Sequence, residues 1–329
     1  MGGSHRLALT QFGGRVRMIA AVDVDEERAR STAAALGCAR WATDYREVAD
    51  DVDAAILALP HHLHHPVGMD FLNRGKHVLM EKPLANTEAE CLDLIHTARG
   101  AHLTLMVAYC MRFDPLAREM ERLIATRAYG DVFQLSLWTE QHTQREPGSW
   151  AHAKATLGGG QLFSHGCHYI DVLLAWMGEP VEGTHLGTNF GTPWMEGEGT
   201  SNASIKFESG ALGYHFGTWG AKGTRLKYSF HAHCTEGMLE AQFAQGLLIL
   251  HRDAEEEDTG REQLLFEAKP GKHVAGELAH FVECVETGRT PLTDAARSLQ
   301  SLRVIWRLYE AEHTHGVADL RGLGIGSAV

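Results

Sequence analysis

Two side chains in this sequence have the chemistry to exchange a proton with an alcohol. They are Lys82, in Glu81-Lys82-Pro83, and His168, in Gly166-Cys167-His168-Tyr169-Ile170-Asp171. The apolar residues 78–80 stop at a charged pair and a proline, as a buried parallel strand does where its C-terminal edge opens on a ligand crevice. Pro83 restricts the backbone of the lysine before it. An ammonium held there can bind an anion, polarise a carbonyl or alcohol, or stand in solvent. Histidine titrates near neutrality without adjustment, which suits a base that takes an O–H proton while hydride leaves the adjacent carbon. On an apolar helix it can equally be a core side chain. Ser164 lies one helical turn before His168 and Asp171 three residues after it, on one face.

Lys82 needs a strand behind it, and the surrounding pattern supplies one. Apolar strands are expected at 17–24, 54–59, 78–80 and 103–108. Amphipathic helices alternate with them: one from Asp25 to its cap Gly37, one with Pro66 near its start and Gly75 as its cap, and one running from Thr87, with Glu90 as a capping box, to Gly100. Residues 6–9 read as the first turns of a helix, and Asp114-Pro115 begins another. This alternation indicates a doubly wound parallel sheet. After about residue 130 the pattern changes. Residues 132–139 alternate with period two, an apolar helix spans about 161–177, and 203–207, 211–216, 226–232 and 247–250 read as a largely antiparallel sheet. Residues 255–258 are an acidic loop tip, and helices at about 276–287 and 295–312 close the chain. The fold class is α/β, with a Rossmann-type domain at 1–115 and an α/β domain with a large open sheet at 116–329.

Such a sheet normally carries G-x-G-x-x-G between its first strand and first helix. No complete copy occurs near the start, and Gly322, Gly324 and Gly326 have the wrong spacing. If Gly2 is the last glycine of the fingerprint, Asp23 follows about 20 residues on, at the end of the next strand. An acidic residue there binds the ribose hydroxyls of NAD and repels the 2′-phosphate of NADP. The alternative is that Asp23 caps the following helix. On the fingerprint reading Met1 is an internal methionine of a longer native protein, the central strand is absent from the core, and residues 1–329 are expected to bind NAD weakly.

The motifs together resemble those of the glucose–fructose oxidoreductase/inositol dehydrogenase (Gfo/Idh/MocA) family. They are Leu59-Pro60-His61-His62-Leu63-His64, the stretch from Gly75-Lys76-His77-Val78 through Glu81-Lys82-Pro83-Leu84-Ala85, Arg112-Phe113-Asp114-Pro115, Gly158-Gly159-Gly160 with Gly166 to Asp171, and Glu277-Leu278 with Phe281-Val282. The resemblance implies a Rossmann domain, a C-terminal domain whose open sheet builds a homodimer or homotetramer, and a sugar, sugar derivative or cyclitol as substrate. It implies that Lys82 contacts the reacting hydroxyl and the nicotinamide ribose, and that His168 exchanges the proton. Gly2, Asp23, Pro60, His61, His64 and Glu81 fall along the cofactor by the same resemblance. Tyr109, Arg112, Trp150, Ser164 and His165 are substrate-pocket candidates. Two departures stand out. Ser164 occupies a position where the family commonly has aspartate, so His165 is expected to take over part of that role, and Cys110 stands where asparagine is common. The expected activity is NAD(H)-dependent hydride transfer to or from a secondary alcohol or ketone. Transient use of NAD in elimination or hydrolysis, and a non-catalytic nucleotide sensor, are the alternatives.

Composition fits a globular enzyme. The 329 residues are 44% hydrophobic and 22% charged, and the net charge of −12 argues against nucleic acid or an anionic membrane as the main partner. No apolar run reaches the length of a membrane span. The six cysteines show no paired spacing and read as reduced thiols of a cytoplasmic protein. The 21 histidines cluster at 61–65, 165–168, 231–233 and 313–315, but without an accompanying cysteine or carboxylate set, and no metal is expected.

Overall fold

The computed structural model describes residues 2–10, 12, 14–252, 262–327 and 329. Its first half runs α1 (Gly2–Leu9), β1 (Ala20–Val22), α2 (Glu26–Leu36), β2 (Arg40–Ala42), β3 (Ala54–Leu57), α3 (His64–Asn73), β4 (His77–Met80), α4 (Glu88–Gly100), β5 (Leu105–Val107) and α5 (Pro115–Ala125). Local chemistry sets the helix ends. The Asp25 side chain accepts from the Arg28 amide, and Gly37 closes α2 in the left-handed region at φ 67°. Thr87 and Glu90 form the reciprocal capping box of α4. Asp114 caps α5, whose first residue is Pro115. Gly75, at φ 72°, closes α3 as expected, its amide donating to Leu72 O at 2.9 Å and the Lys76 amide to Phe71 O at 3.0 Å, whereas Gly100 lies inside α4, with Ala101 as the cap.

All strand pairs in this half are parallel, but they form two separate sheets, β1-β2 and β3-β4-β5. No described strand bridges β1 and β3. The expected gap in the sheet is therefore present among the described residues.

The second half contains β6 (Val132–Glu140), α6 (Lys154–Leu157), a π-helical turn (Leu162–Gly166), α7 (Cys167–Met177), β7 (Pro180–Thr188), β8 (Thr200–Phe207), β9 (Leu212–Thr218), β10 (Tyr228–Cys234), β11 (Gly237–Gln242), β12 (Leu247–His251), β13 (Glu262–Glu267), α8 (Val274–Thr287), α9 (Ala295–His313) and β14 (Ala318–Asp319). The nine strands form one sheet in the order β13-β12-β11-β10-β6-β9-β8-β7-β14. All neighbours are antiparallel except β6 and β9.

Alternation decides which face is buried. Leu135 and Leu137 of β6, Ala203 and Ile205 of β8, and Phe230 and Ala232 of β10 pack with Phe163, Ile170, Leu173 and Leu302 in one core. Each large aliphatic side chain so buried stabilises by about 1.5–3 kcal/mol. A smaller cluster joins Ala8 of α1 to Leu79, Met106, Val274, Leu278 and Phe281, so α1 and α8 together cover β4 and β5.

Two sequence expectations change. The helix expected over 161–177 begins with a π turn. The pattern does not single out β7, β11, β13 or β14. In β7, Pro180, Gly183 and Gly187 interrupt the alternation, and Gly183 has a structural reason: a Cβ there would stand 2.8 Å from the Ser204 carbonyl. The acidic run at 255–258 lies outside the described residues.

Candidate active site

A cleft of about 900 Å³ opens beyond the C-terminal ends of β3 and β4, facing α7 and the ends of β6 and β10. That is where open parallel sheets bind ligands, and the volume suits a small organic molecule. Pro60, His61, Glu81 and Lys82 line one side; Trp150, Ser164, His165, His168 and Tyr228 line the other.

Glu81 continues β4, its amide donating to Leu57 O at 2.9 Å. Its buried carboxylate meets His5 Nε2 at 2.6 Å. Burial pushes the Glu81 carboxyl up, but the His5 hydrogen bond and the positive charge of neighbouring groups, Lys82 included, leave it below the usual range. From this anchored base Lys82 reaches across the cleft, and its Nζ donates to the Ser164 carbonyl at 2.7 Å. The π turn containing Ser164 interrupts the regular α ladder, which is how such turns present backbone groups at functional sites. Two side chains hold the entrance to that turn. Tyr309 Oη accepts from the Gly160 and Phe163 amides, and Glu198 accepts from the Leu162 amide at 3.1 Å and from Tyr309 at 2.6 Å.

His168 stands in the first turn of α7, buried, its ring against Tyr109, Tyr169 and His165. Its Nδ1 is buried without a partner, so Nε2 is the nitrogen left to meet the cleft. Burial holds the His168 pKa well below the ordinary value, and the charges of Lys82, His165 and Lys272 push it further the same way. His168 is a neutral imidazole at pH 7 with a free lone pair.

His165 is also held well down, by burial and then Lys82. Its hydrogen bonds fix its tautomer. Tyr228 donates its hydroxyl proton to Gln141 Oε1 at 2.6 Å and so can only accept from His165 Nε2 at 3.5 Å. Gln161 Nε2 donates to Nδ1 at 3.3 Å. Both His165 nitrogens are therefore committed within the protein.

The remaining sequence candidates divide. His61 lines the cleft beside Trp150, ring centroids 4.6 Å apart, with Nδ1 donating to Leu157 O at 2.8 Å. His64 is fully buried away from the cleft wall, its two ring nitrogens 2.7 Å from Pro83 O and 3.0 Å from Leu59 O; it pins the loop that carries Lys82. Asp23 follows β1, accepts from the Asp25 amide, and pairs with Arg28 at 3.0 Å. Gly2 is the first residue of α1. Tyr109 and Arg112, expected in the substrate pocket, do not line the cleft. Tyr109 is fully buried with its hydroxyl 3.1 Å from Ser301 Oγ, and Arg112 is buried against Asp171 at 3.1 Å and Glu121 at 3.5 Å. Asp171 consequently serves Arg112, not His168.

Sequence reasoning did not find Gln141, Tyr228 or Lys272. They come from strand ends and a loop that only the β6–β10 pairing and the start of α8 bring together, and no local motif marks them. Among the described residues no group of three histidine, cysteine or acidic side chains is placed to hold a metal ion, and no helix is long and apolar enough to cross a membrane.

The chain is similar to known proteins. Residues 1–109 match the family model described as "Oxidoreductase family, NAD-binding Rossmann fold", and residues 117–240 match "GFO/IDH/MocA C-terminal domain". The chain is similar to D-xylose 1-dehydrogenase (NADP(+)) 2 of Haloferax volcanii, 27% identical over 310 residues that cover 90% of each chain. It is also similar to levoglucosan dehydrogenase of Pseudarthrobacter phenanthrenivorans, 28% identical over 244 residues, 66% of this chain and 63% of that protein. The solved structure of a levoglucosan dehydrogenase in complex with NADH has the same fold, with a TM-score of 0.86 over 97% of this chain and 96% of that one at 20% identity.

Proposed function

Since the chain belongs to the Gfo/Idh/MocA oxidoreductase family, we propose that it is an NAD(H)-dependent dehydrogenase of a sugar, sugar derivative or cyclitol. One observation carries the reading: Lys82 and His168 line one cleft at the carboxyl ends of β3 and β4, with Lys82 bonded to the carbonyl of Ser164 in the turn just before α7. The cleft wall suits a nicotinamide cofactor. Lys82 spends one of its three ammonium protons on Ser164 and keeps the others for a ligand oxygen. Pro60, His61 and Glu81 lie on the same side, and Asp23 offers a carboxylate to a ribose once it shares Arg28. When bound, the nicotinamide accepts hydride from a carbinol carbon or returns it to a carbonyl.

The chain's own residues handle the proton and the charge. Neutral His168 takes the hydroxyl proton at Nε2 in the oxidative direction and gives it back in the reductive one. Lys82 donates a hydrogen bond to the same oxygen and stabilises its developing negative charge in a largely dry pocket. Glu81, held by His5, and His64, gripping Pro83, fix the base of Lys82 and act as positioning residues. In this reading residues 1–115 carry the cofactor and 116–329 the substrate, and the protein works in the cytoplasm. It assembles as a homodimer or homotetramer through the open sheet face. That face shows the linked rings of Trp138, Tyr214 and Phe216 beside exposed Leu212 and Leu186, a composition suited to burial against a second copy.

The test is nicotinamide absorbance with NAD⁺ and a panel of aldoses, anhydrosugars and inositols, and with NADH and the matching keto-sugars. NADH formed in step with substrate loss is expected. Substrate loss without NADH release would point to transient oxidation followed by elimination, and no reaction in either direction would contradict the reading.

A further inference from the structure

The charge lining the cleft is opposite to that of the whole molecule. The chain carries a net charge of −12, yet Lys82, Arg145, Lys227 and Lys272 all face the cleft. Among the described residues two carboxylates face it as well, and both are occupied. Glu81 is bonded to His5, and Asp114 accepts the Leu116 and Ala117 amides as the cap of α5. Arg145 and Lys227 enter no ion pair among the described residues. The N-terminus of α8 also opens on the cleft through Gly271, Lys272 and His273, and its cap residue His273 makes no side-chain capping bond. The helix therefore adds its positive end to the same field.

Lys227 carries a second signal. It is a non-glycine residue at φ 55°, in the left-handed region, immediately before Tyr228, whose hydroxyl reaches His165. Its backbone is held on both sides, its amide donating to Thr224 Oγ1 at 3.0 Å and its carbonyl accepting from the Glu140 amide at 2.7 Å. A side chain kept in a costly backbone conformation at the mouth of a cleft calls for a function there. Lys272 lines the same cleft as His165 and His168, and its charge acts on both.

We infer that the substrate of this cleft is an anionic sugar derivative, a sugar acid whose carboxylate is met by Arg145, Lys227 and Lys272 while a hydroxyl faces Lys82 and His168. The inference rests on the reading of the cleft as a dehydrogenase substrate site. A cleft lined by one sign of charge concentrates ligands of the other sign, and here it does so against the repulsion of an acidic protein. A neutral sugar would leave Arg145 and Lys227 without an acid to meet among the described residues. Arg145, Lys227 and Lys272 all belong to residues 116–329, the part of the chain that the proposed function gives to the substrate.

Trp150 and Trp219 line the cleft, so their fluorescence reports occupancy whether or not turnover follows. The experiment titrates the protein with D-gluconate against sorbitol and D-glucuronate against D-glucose, with D-glucose 6-phosphate as a further anionic arm, at low and high salt. At least one acid is expected to bind about tenfold or more tighter than its neutral partner, with the preference falling as salt screens it. Arg145→Gln and Lys227→Gln are each expected to lose most of that preference while leaving neutral-sugar binding and NAD⁺ binding unchanged. Equal binding of acid and neutral partners, binding of neither, or preference for the phosphate ester alone would overturn the inference. So would variants that lose NAD⁺ affinity, because the cations would then serve the cofactor. Oxidation of neutral sugars without acid preference would leave the dehydrogenase reading standing. Acid binding without NADH formation on any sugar would do the reverse.

Discussion

Lys82 Nζ lies 2.7 Å from the main-chain oxygen of Ser164, so the residue just beyond β4 is tethered to the π turn that leads into α7 and His168. The bond crosses the cleft and joins the two halves of the chain at the point where chemistry would occur. It leaves the Ser164 hydroxyl, which also lines the cleft, free for a ligand. The serine at this position cannot hold a charge as an aspartate would, and among the described residues no carboxylate is bonded to His168.

Replacing Lys82 by Met keeps the length of the side chain and removes its charge and donors. Turnover is expected to fall by about 10²–10³-fold, the usual cost of deleting one donor to a developing oxyanion. Steady-state kinetics check this, and a smaller effect on KM than on kcat would place the interaction in the transition state.

His165 offers a sharper discrimination. Both its nitrogens are committed to Gln161 and Tyr228, so it positions the wall of the pocket and relays nothing directly. His165→Ala is expected to lower kcat/KM by about tenfold, the effect of a misplaced pocket wall, with the acid limb of the pH profile unmoved. A shift of that limb would restore His165 to the proton relay that the sequence suggested for it in place of the missing aspartate.

Glu277 of α8 is fully buried, neither carboxyl oxygen has a hydrogen-bond partner, and burial followed by the charge of Glu81 pushes its pKa well above the ordinary value. The folded state then holds a proton that the unfolded chain releases above about pH 4.5. With more protons on the folded form, stability falls as pH rises from there towards the raised folded pKa. Glu277→Gln removes the titration and keeps the shape. Its melting temperature is expected to exceed that of the parent at about pH 8 by more than at about pH 5. A constant difference between the two would mean that Glu277 does not carry the proton.

Much of this was legible in the sequence where signals are local. Thr87 with Glu90, Asp114 with Pro115, and Asp25 with Gly37 set helix ends by contacts within a few residues, and the structure uses each of them. Residues 78–80 announced a buried strand and so located Lys82. Direction was not legible. Tyr109 and Arg112 follow β5 much as Lys82 follows β4, but their side chains turn inward, to Ser301 and to Asp171, partners 192 and 59 residues away. No short-range pattern encodes such a choice. For the same reason Gln141, Tyr228 and the cations of the cleft could not be grouped in advance, since the pairing of β6 with β10 brings them together across almost ninety residues. The π turn was not legible because its sequence, Leu162-Phe163-Ser164-His165-Gly166, reads as ordinary helix, and the side chains bonded to its start, Glu198 and Tyr309, come from distant parts of the chain.

The central claim is that His168, kept neutral by burial, takes the substrate proton while Lys82 steadies the oxygen. The most direct measurement is the pH dependence of kcat/KM for NADH formation in the parent and in His168→Asn. The parent is expected to hold its rate as pH falls well below 6.5, because the folded pKa of His168 is depressed, and to lose activity only when that histidine is finally protonated. The variant is expected to be slower by about 10²–10⁴-fold and to lack that acid limb. An acid limb that survives unchanged in His168→Asn, at whatever rate, would contradict the account.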